Sequence, residues 1–166
     1  MTVVSQQQKR EKDAKQSTID KNEVGNMNKQ LMIFSDGGAR GNPGPAAIAF
    51  LILSEKWQLL QTNSRYIGLH TNNQAESQAL IAALESAIAL NAEEITCHLD
   101  SELVTKQLTG EYTVKNAELR QTWKKVQELK KHFKHVTFIN VPRTNSQIQQ
   151  ADRLVNQTLD EKTKKH

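Results

Sequence analysis

The sequence predicts an α/β domain built on a mixed five-stranded sheet, three strands antiparallel and two parallel, flanked by helices. Three observations predict it. Three strand-like segments joined by short turns open the domain. A long stretch rich in Ala and Leu then follows at helical spacing. After it, short apolar runs alternate with amphipathic segments, giving the order βββαβααβα.

Each element has a local reason. Residues 31–36 form an apolar run that closes on Asp36 and leads into Gly37-Gly38-Ala39-Arg40-Gly41-Asn42-Pro43-Gly44, a turn-rich loop. Residues 46–53 are continuously apolar and read as a second strand, and Ser54-Glu55-Lys56 turns the chain. Residues 58–67 read as a weaker third strand, completing an antiparallel meander. A helix is expected over 73–90, with Leu80, Ile81, Leu84, Ala87 and Ile88 on one face and Thr71 or Asn72 as its cap. Residues 95–100 give a fourth strand and 101–108 a short helix. Gly110 breaks the chain before a helix over 116–132, a fifth strand over 136–141 and a last helix over 149–160.

At 166 residues the chain suits one globular domain, placed at residues 30–162. Residues 1–29 are polar, mixed in charge and free of aromatic side chains, so they read as a disordered tail adding a little non-specific phosphate affinity. A net charge of +4 is compatible with an anionic partner but does not identify one. Cys97 is the one cysteine, so no internal disulfide forms, and its strand context indicates a buried thiol. No apolar run approaches the roughly 20 residues of a membrane span, and the first residues hold no apolar signal core. A cytoplasmic protein with no membrane partner is expected.

The chemistry is carried by four acids in distinctive settings. Asp36 and Asp100 end apolar runs, Glu76 begins the long helix within Thr71-Asn72-Asn73-Gln74-Ala75-Glu76, and Asp152 opens the last helix. Carboxylates at strand ends and early in helices can converge at one edge of a sheet, where hard divalent cations bind. Singly, each has a plainer reading as a turn residue, a cap or a first-turn acid.

Taken together, Asp36-Gly37-Gly38, Gly41-Asn42-Pro43-Gly44-Pro45, Thr71-Asn72-Asn73 ahead of Glu76, and Asp100-Ser101 resemble a type 1 ribonuclease H across about residues 31–160. The resemblance implies a ribonuclease H-like fold and hydrolysis of the RNA strand of RNA/DNA hybrids, leaving 5′-phosphate and 3′-hydroxyl ends. It implies two Mg2+ ions per site, with Mn2+ as a substitute, and Asp36, Glu76, Asp100 and Asp152 as ligands and catalytic residues. Asn42 and Thr71 match positions that hold a DNA phosphate; Asn72 and Asn73 match positions near the 2′-hydroxyls, the group that marks RNA. Gly37 and Gly38 would admit close backbone approach, and Arg40 and Arg143 would contact substrate. The enzyme is expected to act as a monomer.

Departures from the family pattern accompany these matches. The passage from Leu108 to Asn116 is too short for the basic protrusion of longer members, so the chain resembles the short subgroup. Hybrid binding would then lean on Lys115, Lys124, Lys125, Lys130, Lys131 and Lys134. The loop from Asn140 to Gln150 has no histidine for product release, and Arg143 is the cation that could replace it. Asn140 stands where the subgroup has His, and Ile148 where it has Asn. Alternative readings are a nucleic-acid-binding protein of this fold with weak or no catalysis, a same-fold nuclease acting on double-stranded RNA or on DNA, and a nucleotide-binding domain.

Overall fold

The computed structural model describes residues 29–164, so the tail expected at the N-terminus lies almost wholly outside the described residues. The elements run β1 (Gln30–Ala39), β2 (Gly44–Ser54), β3 (Leu59–His70), α1 (Asn72–Ala89), β4 (Glu94–Leu99), α2 (Glu102–Leu108), α3 (Ala117–Lys130), β5 (His135–Asn140) and α4 (Ser146–Lys164). One five-stranded sheet orders them β3-β2-β1-β4-β5. β1, β2 and β3 pair antiparallel, and β4 pairs parallel with both β1 and β5, as the element order predicts.

The sheet is covered on both faces. Ile33, Ile48, Phe50 and Ile52 point into a core shared with α1, α2 and α3, where Leu80, Leu84, Val104 and Val126 close it. Phe34, Ala47, Ala49, Leu51 and Leu53 point the other way, beneath Ile148, Ala151, Val155 and Leu159 of α4. β2 supplies both cores, which explains its unbroken apolar run: alternate side chains fill opposite layers. Each fully buried Leu, Ile or Phe contributes about 1.5–3 kcal/mol by leaving water.

Most boundaries shift by a few residues, and two of these shifts concern the acids. β1 does not stop at Asp36; Gly37, Gly38 and Ala39 continue the ladder opposite Ile48, Ala47 and Ala46. Only residues 40–43 turn, closed by Arg40 N–H donating to the Pro45 carbonyl at 2.8 Å. Gly44 is required there, because a Cβ would lie 2.1 Å from the Arg40 carbonyl oxygen. The last helix starts at Ser146 rather than at 149, since Asn145 Oδ1 accepts from the N–H groups of Gln147 (3.1 Å) and Ile148 (3.0 Å) and caps it. Asp152 therefore stands in the second turn of α4, not the first.

At the sheet's C-terminal edge β1 meets α1 backbone to backbone. A Cβ on Gly37 would lie 2.3 Å from the carbonyl carbon and oxygen of Ala75 and 2.7 Å from Glu76 N. Glycine is the residue that permits this approach, and α1 cannot yield without carrying Glu76 away. Gly38 differs: its nearest neighbour would be Val155 Cγ1 at 3.6 Å, an ordinary contact. Gly37→Ala is accordingly expected to lower unfolding stability in urea by about 2–3 kcal/mol, and Gly38→Ala to change it by less than about 1 kcal/mol.

Candidate functional site

The acids are brought together by three elements. Asp36 lies on β1, and Asp100 follows β4 two residues beyond the paired Phe34 and His98, so the two stand level. Glu76 descends from α1, whose start is fixed by a capping box: Thr71 Oγ1 accepts from Gln74 N–H (3.1 Å) while Gln74 Oε1 accepts from Thr71 N–H (2.8 Å). Thr71, not Asn72, is the cap. Gln74 also donates to Glu118 at the start of α3.

Asp36, Glu76 and Asp100 each place a carboxylate oxygen within 4.8 Å of the others. Asp36 and Glu76 are buried, Asp100 is half-buried, and Asp152 is exposed at the rim. They open onto a cleft of about 610 Å3, also lined by Gly37, Gly38, Asn72, Asn73, Arg143 and Ile148. Ser101, Glu102 and Gln149 line it too; the last two carried no sequence signal beyond their nearness to Asp100 and Asp152.

The electrostatics are those of crowded anions. Burial pushes Asp36 up from an ordinary 3.8 to about 7, and the charges of Asp100 and Asp152 add to the effect. Burial likewise holds Glu76 well above the usual carboxylate range, with Asp36 as the largest charged contributor. Gly37 N–H donates to Glu76 Oε1 at 3.4 Å, but Glu76 Oε2 is buried with no hydrogen-bond partner. An all-oxygen set with a repelled, unpartnered buried oxygen fits a hard divalent cation, which would supply the missing charge.

The other residues singled out in the sequence divide. Asn72 and Asn73 reach the cleft, and Asn72 also ties the turn to α1: its Oδ1 accepts from Ala39 N–H at 2.8 Å and its N–H donates to Asn42 Oδ1 at 3.0 Å. Arg143 Nε lies 3.7 Å from Asp100 Oδ2, with a side chain 91% exposed. Arg40, Asn42 and Thr71 do not line the cleft. Arg40 instead pairs with Asp160 of α4. Among the lysines, Lys134 pairs with Glu93 (3.2 Å) and Lys130 lies over the Phe138 ring. Ile148, in the first turn of α4, is fully buried against the sheet, and Asn140 Nδ2 donates to the Leu99 carbonyl at 3.1 Å.

Two other reactive side chains are structural. Complete burial pushes the Cys97 thiol far up, leaving no thiolate at neutral pH. His98 stacks on Phe34 with ring centroids 4.1 Å apart, its Nδ1 lies 3.0 Å from the Ile33 carbonyl, and burial lowers its pKa. No helix among the described residues is long and apolar enough to cross a membrane.

Comparison with known proteins places this geometry in context. Residues 34–158 match the family model described as reverse transcriptase-like. A ribonuclease HI of Halobacterium salinarum is 40% identical over 128 residues, covering 77% of this chain and 63% of that protein. A bifunctional protein of Mycobacterium tuberculosis is 36% identical over 132 residues, 79% of this chain and 36% of that one. The chain thus spans less than two thirds of the length of either relative. The crystal structure of the Halobacterium RNase H1 superposes with a TM-score of 0.77 at 39% identity, covering 80% of this chain and 98% of that one. LC11-RNase H1, solved in complex with an RNA/DNA hybrid, gives 0.75 at 39% identity over 80% of this chain and 99% of that one.

The raised pKa of Asp36 fixes the sign of a pH effect. The folded protein holds this proton more tightly than the unfolded chain, so the group's contribution to stability is complete below about 4 and is lost as pH rises through about 7. In the metal-free protein Asp36→Asn is expected to raise stability at pH 8 by on the order of 2 kcal/mol and to have little effect below pH 4. Thermal unfolding at the two pH values measures it, and equal effects at both would contradict the electrostatic account.

Proposed function

The chain belongs to the type 1 ribonuclease H family, and on that premise we propose that it is an endonuclease that hydrolyses the RNA strand of RNA/DNA hybrids, leaving 5′-phosphate and 3′-hydroxyl ends. The observation that carries this reading is the convergence of Asp36, Glu76 and Asp100 in a cleft whose mouth holds Asn72, Asn73 and Arg143. The RNase H1 solved with an RNA/DNA hybrid supports the choice of substrate.

Asp36, Glu76, Asp100 and Asp152 would hold two Mg2+ ions, or Mn2+ in their place. Bound there, the ions supply Lewis-acid stabilisation of the phosphate and of the leaving 3′ oxygen and lower the pKa of the attacking water. The chain's own residues do the rest. Burial keeps Asp36 and Glu76 poorly solvated and raises both pKa values, so the charge of a bound cation would favour their ionised, ligating forms. Gly37 N–H fixes one oxygen of Glu76 and leaves the other free to ligate. Asn72 and Asn73 both line the cleft; with Oδ1 of Asn72 engaged, its amide N–H2 is the group left for substrate, and Asn73 stands beside it for the 2′-hydroxyl. Thr71 Oγ1 accepts within the cap and Asn42 Oδ1 accepts from Asn72, which leaves the hydroxyl proton and the amide N–H2 for a DNA phosphate.

Arg143 serves as the mobile cation of a loop without histidine: its exposure and 3.7 Å approach to Asp100 let it move between carboxylate and product phosphate. These contacts read backbone and ribose, so cleavage has little sequence preference. The reading includes a monomer working in the cytoplasm.

The test is cleavage of a short hybrid labelled on the RNA strand, in Mg2+ and separately in Mn2+, with duplex RNA and duplex DNA alongside. The hybrid is expected to be cut and the two duplexes spared. Asp36→Asn and Asp100→Asn should each lower the rate by about a thousandfold or more. Binding of hybrid without cutting in either metal would favour a binding protein, and cutting of duplex RNA would favour a broader nuclease.

A further inference from the structure

Arg40 carries a clear sequence signal, yet its side chain turns away from the cleft. Its Nη2 meets Asp160 Oδ1 at 2.5 Å and also donates to the Asn156 carbonyl at 3.4 Å. Both partners lie on α4, on the stripe Asp152, Asn156, Asp160, each four residues beyond the last. Asn156 Nδ2 in turn donates to the Asp152 carbonyl at 3.0 Å. The buried stripe Ile148, Ala151, Val155, Leu159 runs beside it and presses α4 onto the sheet. Apolar packing of this kind seats the helix on the sheet, and a directional polar contact at the edge of the interface adds a constraint on rotation that the non-directional hydrophobic contact does not supply.

Arg40 adds the missing direction. It stands four residues beyond Asp36 on the same chain, at the edge of a turn held by the Pro45 carbonyl and by Gly44. Its guanidinium therefore fixes the rotation of α4 relative to the strand that carries Asp36. The lever is short. A carboxylate stands about 5–6 Å from a helix axis, so a rotation of about 10° displaces it by about 1 Å. A displacement of that size can cost up to about a hundredfold in rate.

We propose that Arg40 is a positioning residue that acts through Asp160 and the Asn156 carbonyl to hold Asp152 in register with Asp36, rather than a contact to nucleic acid. The proposal rests on the assignment of Asp152 as the fourth carboxylate. As a surface pair of half-exposed groups the clamp adds little to stability, so its effect falls on the site.

The test compares Arg40→Ala, Asp160→Ala, the double variant, Arg40→Lys and Asp152→Asn in the full chain. Steady-state cleavage of a hybrid is measured for each, with calorimetric titration of Mn2+ into the nucleic-acid-free protein. Arg40→Ala and Asp160→Ala are each expected to lower kcat by about three- to fivefold with KM within about twofold. The double variant should be no worse than either single one, and Arg40→Lys should recover most of the loss. Mn2+ affinity should fall about fivefold in both alanine variants, with thermal midpoints within about 3 °C of the parent.

A raised KM and a flatter salt dependence in Arg40→Ala, with Asp160→Ala unaffected, would make Arg40 a phosphate contact and overturn the proposal. Unchanged kcat and Mn2+ affinity in both alanine variants, with Asp152→Asn inactive, would overturn the clamp while leaving the site assignment standing. Full activity in Asp152→Asn would remove the assignment on which the clamp depends.

Discussion

Three carboxylates held within 4.8 Å, two of them buried, repel one another in a poorly screened environment, and this is the constraint that the surrounding structure must withstand. Left to themselves the side chains would turn to water. They are held by backbone: the ladder that carries β1 past Asp36 to Ala39, the end of β4, and the contact between Gly37 and the Ala75–Glu76 peptide. Strand pairing and a capped helix resist this repulsion better than a loop would, because their backbone groups are tied by hydrogen bonds.

The same constraint accounts for the placement of the polar residues around the site. Thr71 and Gln74 satisfy the start of α1, and Asn72 joins it to Ala39 on one side and Asn42 on the other. The strand bearing Asp36 and the helix bearing Glu76 are thus tied together where β1 ends and α1 begins. Glu76 Oε2 is left without a partner inside this well-satisfied surround. A buried unpaired carboxylate oxygen is costly, and its cost becomes binding energy for any cation that enters.

Much of this was legible in the sequence because the signals were local. Apolar runs located β1, β2 and β4, helical spacing located α1, and the Thr-Asn-Asn segment announced its cap. What the sequence hid was geometry between distant segments. Gly37-Gly38-Ala39 reads as loop because glycine weakens strands, yet the pairing partners Ile48, Ala47 and Ala46 keep these residues in the sheet. Asn145 is one polar residue among Thr144, Asn145 and Ser146, and nothing local marks it as the cap that starts α4 three residues early. Arg40 and Asp160 are 120 residues apart, so their ion pair leaves no pattern, and Arg40 alone reads as a free cation in a phosphate-binding loop.

Asp152 is where these hidden features bear on chemistry. Its three partners are fixed by backbone or burial, but Asp152 is exposed on a helix that joins the sheet through apolar packing. The early start at Ser146 matters for that reason, since it gives Asp152 a full turn of helix on its N-terminal side instead of a fraying end. Ile148 replaces any polar support from within that turn by anchoring it in the core. Rotation about the helix axis then bears most directly on the fourth carboxylate, and the stripe running from Asp152 to Asp160 carries the ion pair that ties α4 to the turn after β1. Three of the acids are thus held by backbone and burial, whereas the position of the fourth depends on how α4 is seated, by its buried stripe and by the Arg40–Asp160 pair.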